Sequence, residues 1–129
     1  MSPRFKKTVS IVFLFLALSG WVWWLWKDWD SAGLTAVFLD VGQGDGVLLT
    51  IGNDFQIVID GGPDDSLIQK LGEYMPWYDR TIEMVILTHP DWDHVTGLVS
   101  LTERYQIGAV LYTGIQSHNA AYTELRSII

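Results

Sequence analysis

From residue 34 onward, apolar residues come in short runs broken by glycine, proline and aspartate, a pattern of strands and turns more than of long helices. Leu34–Asp40 is apolar and β-branched and ends at the glycine cluster Val41-Gly42-Gln43-Gly44-Asp45-Gly46. Val47–Ile51 and Phe55–Ile59 follow, and the linking Gly52-Asn53-Asp54 predicts a hairpin. Asp60-Gly61-Gly62-Pro63 interrupts the pattern. Asp64 or Asp65 can then cap a helix whose apolar positions Leu67, Ile68, Leu71, Tyr74 and Met75 recur at helical spacing until Pro76 ends it. Ile82–Leu87 reads as a buried strand. Leu98, Leu101 and Tyr105 predict a short helix, Ile107–Tyr112 a strand, and Asn119 the cap of a last helix carrying Tyr122, Leu125, Ile128 and Ile129 on its apolar side. Strands first, then helices alternating with strands, predict an α/β fold in which helices cover one face of a sheet.

The first 30 residues follow another rule. Arg4, Lys6 and Lys7 precede Ile11–Trp26, an uncharged and mostly apolar run that Thr8–Ser10 can extend by a turn. About 19 residues at 1.5 Å each nearly match the ~30 Å hydrocarbon core of a bilayer, which predicts a transmembrane helix over about 9–26. Trp21, Trp23, Trp24, Trp26 and Trp29 crowd its far end, where indoles favour the lipid–water boundary, and the basic flank predicts the N-terminus inside and the remainder outside the cytoplasmic membrane. The rival is a cleaved signal peptide with Ala17-Leu18-Ser19 as its small-residue site. Cleavage there would leave Trp21–Trp26 as an exposed apolar end, so an uncleaved, single-pass anchor is the better reading. The predicted organisation is an anchor and polar hinge over residues 1–30 and one α/β domain over 31–129.

Charge narrows the function. Beyond residue 30 only Lys70, Arg80, Arg104 and Arg126 stand against thirteen acidic residues, four less thirteen giving a net charge of −9. Such a domain has no broad basic face to follow a phosphate backbone, so any nucleic acid it handles must be met through bound cations or a further part of the protein. There is no cysteine, which excludes disulfides, thiolate–zinc sites and cysteine nucleophiles.

Chemistry concentrates in Thr88-His89-Pro90-Asp91-Trp92-Asp93-His94-Val95-Thr96-Gly97, directly after the apolar run Met84–Leu87. Two imidazoles and two carboxylates fall within six residues, and no lysine or arginine lies between Arg80 and Arg104. Like charges that close need a positive partner, and a divalent metal is the simplest one, since imidazole and carboxylate are common ligands of zinc, manganese and iron. His89 and Asp91, two apart in an extended loop, project to one side. Asp93 and His94 come as the chain turns into the next helix and can reach a second point a few ångströms away. Two metals ~3.5–4 Å apart could clamp an attacking water and a phosphoryl or carbonyl oxygen, with backbone amides at the helix start adding anion stabilisation. The competing reading is a plain capped turn, with Asp93 as N-cap, Asp91 in an Asx turn and both histidines solvated. Four uncompensated ligand-type side chains argue against it.

This segment resembles the metal motif of the metallo-β-lactamase superfamily, His-x-His-x-Asp-His, with Asp91 in place of the second histidine. Together with Phe38-Leu39-Asp40-Val41-Gly42-Gln43-Gly44-Asp45-Gly46 and Ile59-Asp60-Gly61-Gly62, it resembles the hydrolase domain of ComEC-type competence proteins, which import DNA. The three motifs occur in the family's order between about Leu34 and Thr113. The resemblance implies a four-layer αββα sandwich and two divalent ions, zinc or manganese. It places His89 and Asp91 on the first ion and Asp93 and His94 on the second, with Asp60 orienting a ligand from behind. Asp40, Gln43 or Asp45 would lie near the same edge, and Asp93 and Asp60 would be the catalytic carboxylates. It further implies hydrolysis of DNA phosphodiesters by metal-activated water. Another ester, such as a phosphoester or lactone, and a non-catalytic membrane-tethered remnant are the alternatives.

The departures are specific. Gly46 stands where the family more often has alanine. The family's downstream histidine, Thr-Gly-Asp type and His-His-Gly type segments do not occur in these 129 residues, so the chain reads as the N-terminal portion of such a domain. His118 falls one element too early to replace a missing ligand and reads better as a solvated loop residue. Gly42-x-Gly44-x-Gly46 does not bind a dinucleotide, because a strand and not a helix follows it. Trp92 can stack on a base or pack on its own helix, and the second is the commoner outcome.

Overall fold

The computed structural model describes residues 3–27 and 33–129, with side chains in the first helix described at Ser10 and over residues 12–24. The chain forms two compact units, 1–33 and 34–129. In the first, helix α1 runs from Pro3 to Lys27. Its described bulky side chains, Val12 to Trp24, are exposed, and the Ser19 hydroxyl turns back to the Leu16 carbonyl at 3.0 Å. Among the described residues no helix is long and apolar enough to cross a membrane. The transmembrane expectation over about 9–26 falls partly outside the described residues, at the side chains of residues 9, 11, 25 and 26. The side chains of Arg4, Lys6, Lys7, Trp26 and Trp29, and the hinge at 28–32, lie outside the described residues.

The second unit is a mixed α/β fold. Strands β1 (Leu34–Phe38), β2 (Val47–Ile51) and β3 (Phe55–Ile59) form an antiparallel meander. After helix α2 (Ser66–Tyr74) the chain returns as β4 (Thr81–Ile82) and β5 (Met84–Leu87), then helix α3 (Trp92–Arg104), β6 (Gln106–Ile107), β7 (Val110–Tyr112) and helix α4 (Ala120–Ile128). The main sheet has the order β1-β2-β3-β5-β7, with β5 parallel to both neighbours, and β4 pairs with β6 in a separate two-stranded ribbon.

Register explains the layering. Val37, Leu48, Val58, Val85 and Val110 align across the five strands and face the helices, where Leu67, Leu71, Val95, Leu98, Leu101, Tyr122 and Leu125 complete the core. The next row, Phe38, Val47, Ile59, Ile86 and Leu111, points to the other side, where Phe38 and Leu111 are exposed. Alternate residues of a strand point to opposite faces, and here both rows are apolar. Of the four layers expected, the described residues form two, one of helices and one sheet.

Three expected elements differ in detail. Ile82–Leu87 is not one strand: Glu83 separates β4 from β5, its amide donating to the Gln56 carbonyl at 3.1 Å and its carboxylate accepting from the Gln56 amide at 2.7 Å. Ile107–Tyr112 divides at Gly108, whose amide donates to the Ile82 carbonyl at 2.9 Å. The helix expected around Leu98 begins earlier, inside the ligand motif, at Trp92. Tyr74, placed on the apolar side of α2, is exposed. Asp65 occupies the N-cap position of α2 without a side-chain capping bond, while Asp64 accepts from the amide and hydroxyl of Ser66. Asn119 caps α4 through its Oδ1, 3.0 Å from the Ala121 amide.

Candidate metal centre

Two neighbouring parallel strands set the position of the site. Ile59 of β3 pairs with Ile86 of β5, so the residues after each strand, Asp60 and Thr88, emerge side by side at one edge of the sheet. Asp60 is 2% exposed and has φ +56°, a left-handed conformation unusual for a residue with a side chain and held only where the surroundings enforce it. Its amide donates to the Ile86 carbonyl at 2.9 Å. Its Oδ1 accepts from the Thr88 amide at 2.9 Å, and its Oδ2 lies 2.5 Å from Thr88 Oγ1 and 3.0 Å from His94 Nδ1. A buried carboxylate is costly unless its oxygens are satisfied, and three donors surround this one.

His94 reaches Asp60 because the first turns of α3 press onto the loop after β3. The Gly61 amide donates to the His94 carbonyl at 2.7 Å, and the Gly97 amide to the Gly62 carbonyl at 3.1 Å. Contact this close needs glycine on both sides: a Cβ on Gly97 would collide with the Gly61 carbonyl, and one on Gly61 would come within 2.5 Å of the Leu98 amide nitrogen. The glycine loop behaves similarly. Gly44, at φ +89°, lies directly against the Asp93 carbonyl, and the Asp45 carbonyl accepts from the Gly62 amide at 3.1 Å. That loop therefore borders the site, with Asp40, Gln43 and Asp45 all exposed on it.

The expected ligands take distinct positions. His89 is half-buried, its ring centroid 3.8 Å from that of His94, and its Nδ1 is 2.9 Å from Thr88 Oγ1. One donor atom from each of Asp60, His89 and His94 falls within 4.8 Å of the others. Asp91 is the N-cap residue of α3, yet its side chain makes no capping bond. Instead its Oδ2 lies 3.6 Å from His89 Nε2, and the side chain is 71% exposed. Asp93 is half-buried in the first turn of α3 and has no side-chain hydrogen bond or ion pair among the described residues. Trp92 is 52% exposed. His118 is exposed and outside the cluster, although its neighbour Asn119 reaches the Pro90 carbonyl at 3.4 Å.

The structure thus gathers His89, His94 and Asp60, sets Asp91 beside His89, and leaves Asp93 flanking. Thr88 had no role in the sequence reading. Its only signal was its place, directly before His89 at the end of a strand. An open hollow of about 540 Å³ near Tyr105, Val110, Tyr112 and Ile129 contains none of these side chains, so donor chemistry and not cavity size locates the site.

The donor set suits a divalent ion. Two imidazoles and nearby carboxylates form a zinc- or manganese-type ligand field. No lysine or arginine forms an ion pair with these groups among the described residues. The 3.6 Å between His89 Nε2 and Asp91 Oδ2 is close to the ~3.4 Å that two ligands span around one tetrahedral ion at ~2.1 Å.

Known proteins resemble this chain in sequence. Residues 39–120 match the family model of the metallo-beta-lactamase superfamily, whose members are metal-dependent hydrolases. A 51-residue stretch is 37% identical to a hydroxyacylglutathione hydrolase of Saccharophagus degradans, covering 40% of this chain and 17% of that protein's length. With the family model spanning well over half of its residues, three motifs in order and the imidazole–carboxylate cluster at the sheet edge, this chain belongs to the metallo-beta-lactamase superfamily.

Proposed function

We propose that this chain carries the metal-binding part of a hydrolase that cleaves phosphodiester bonds, of the ComEC type. The observation that carries this reading is Asp91, an N-cap residue that leaves its helix uncapped and turns its carboxylate toward His89 Nε2. An oxygen ligand in place of an imidazole hardens the site, which favours manganese-like ions and phosphoryl oxygens over softer partners. His89 and Asp91 would hold one ion, and Asp93 and His94 a second. Divalent ions bound there supply an activated water and offset the charge that grows on the ester oxygens.

The chain's own groups prepare that chemistry. Asp60 fixes His94 from behind, a carboxylate–imidazole contact that raises ligand basicity and sets ring orientation. The glycine loop closes one side of the site and brings Asp93 under backbone rather than side chains. The acidic domain repels a polyanion except where bound cations would compensate it, so His89, Asp91, Asp93 and His94 would serve substrate binding through any ion they hold.

A second reading has its own support. The relative from Saccharophagus degradans is named a hydroxyacylglutathione hydrolase, which favours an ester of that kind as substrate. One experiment separates the two. The full chain, loaded with Mn²⁺ or Zn²⁺, is given a short DNA duplex, bis(p-nitrophenyl) phosphate and a hydroxyacylglutathione, with His94→Ala as control. Turnover of the phosphodiesters that disappears in His94→Ala is the expected result. Turnover of the hydroxyacylglutathione alone establishes the second reading. Metal binding with no turnover of any substrate would leave a non-catalytic metal-binding chain.

A further inference from the structure

The hydroxyl of Thr88 touches two groups at once, Asp60 Oδ2 at 2.5 Å and His89 Nδ1 at 2.9 Å. Counting protons decides what each contact is. A carboxylate oxygen only accepts, so both Thr88 Oγ1 and His94 Nδ1 must donate to Asp60 Oδ2. A hydroxyl has a single proton, and Thr88 has committed it to Asp60. What it offers His89 is a lone pair. His89 Nδ1 must then carry a hydrogen and donate it to Thr88 Oγ1, as His94 Nδ1 donates to Asp60.

We infer that Thr88 is a positioning residue that relays the Asp60 carboxylate to His89, so that one buried carboxylate fixes the tautomer of both imidazoles. Each ring then presents Nε2 as a lone pair. The opposite tautomer of His89, with its hydrogen on Nε2, would gain little from its nearest acceptor, because Asp91 Oδ2 is 3.6 Å away, beyond hydrogen-bond reach. It would also set two lone pairs, on Nδ1 and Thr88 Oγ1, against each other at 2.9 Å.

Local geometry holds the relay in place. The Thr88 amide donates to Asp60 Oδ1 while its hydroxyl donates to Oδ2, so one residue grips both oxygens of the carboxylate. A β-branched side chain has few χ1 choices, which limits rotation of the hydroxyl away from this bridge. Thr88 itself is exposed, but the oxygen it serves belongs to a residue only 2% exposed.

The inference rests on the metal-centre reading for its purpose, but its test needs no metal. Long-range ¹H–¹⁵N correlation spectra of the metal-free full chain, recorded where both rings are neutral, report which nitrogen of each histidine bears the hydrogen. Wild type and Thr88→Ser should show the Nδ1–H form at both His89 and His94. Thr88→Val keeps the shape and loses the hydroxyl. There His94 should stay Nδ1–H, which also shows that the fold is intact, while His89 shifts to the Nε2–H form favoured by free imidazole. An Nε2–H His89 in wild type, or a His89 unchanged in Thr88→Val, overturns the relay.

Calorimetric titration with Zn²⁺ or Mn²⁺ alone gives the second readout. Thr88→Val should bind about 10–100-fold more weakly, the usual effect of losing a partner behind a ligand, and Thr88→Ser should bind nearly as wild type does. Equal affinity in Thr88→Val contradicts the relay. If the tautomers behave as expected and no variant binds metal, the relay stands and the metal reading falls.

Discussion

Replacing Gly97 with alanine places a methyl group where α3 meets the loop that carries Asp60. The added Cβ would stand 2.8 Å from the Asp64 carbonyl oxygen and 2.9 Å from the Gly61 carbonyl carbon, with the Gly61 oxygen closer still. Ordinary carbon contact begins near 3.5 Å, so the carbon alone demands a retreat of about 0.6 Å. α3 cannot retreat without carrying His94, whose Nδ1 is already 3.0 Å from Asp60 Oδ2. Overpacking of this kind costs about 1–3 kcal/mol. Weakening a hydrogen bond to a buried charge adds roughly 1.5–3 kcal/mol. Alanine returns about 1 kcal/mol of helix propensity. The net loss is about 1.5–5 kcal/mol, a large part of the ~5–15 kcal/mol that holds a domain together. In a unit of this size it should lower the melting temperature by roughly 7–25 °C. Gly72→Ala in α2 is the matched control, because its Cβ would meet nothing within 4 Å. It should stabilise by about 0.5–1 kcal/mol. Urea denaturation of the full chain followed by circular dichroism measures both variants. A Gly97→Ala chain as stable as wild type would refute the claim that this contact docks His94 onto Asp60.

Two further outcomes follow from named contacts. Asp60→Asn keeps an acceptor for the Thr88 amide but cannot also accept from the Thr88 hydroxyl and His94, so titration with Zn²⁺ or Mn²⁺ should show about 10–100-fold weaker binding; unaltered affinity would contradict it. The Asp64 carboxyl is held below the usual carboxylate range, first by the Ser66 hydroxyl and then by the Ser66 amide. A lowered folded-state value contributes stability above the unfolded-state value and loses it as pH falls through the lowered one. Ser66→Ala should therefore raise the Asp64 midpoint in an NMR titration and make the acid loss of stability slightly shallower, and an unmoved midpoint would argue against the hydroxyl as cause.

Local signals in the sequence carried much of the fold. The Gly52-Asn53-Asp54 turn between two β-rich runs defined β2 and β3 to the residue, and the Asn119 cap lies where α4 begins. What escaped depended on distant partners. Glu83 and Gly108 look like ordinary members of apolar runs, yet each is diverted by backbone bonds to another strand, Gln56 for the first and Ile82 for the second. At the site, the composition of 89–94 pointed to metal ligands, and Asp60 before two glycines read as a break in the strand pattern. The left-handed φ of Asp60 and the bridge through Thr88 were not legible, because both arise only when β3 and β5 lie side by side.

The central claim is that the side chains of Asp60, His89 and His94, with Asp91 and Asp93 beside them, make a site for divalent ions. The most direct test is metal content by mass spectrometry after equilibrium dialysis of the full chain against Zn²⁺ or Mn²⁺, alongside His89→Ala and His94→Ala. Stoichiometric metal in wild type, reduced in each variant while circular dichroism stays unchanged, is the predicted result. Equal metal in all three proteins, or none in wild type, would contradict the account.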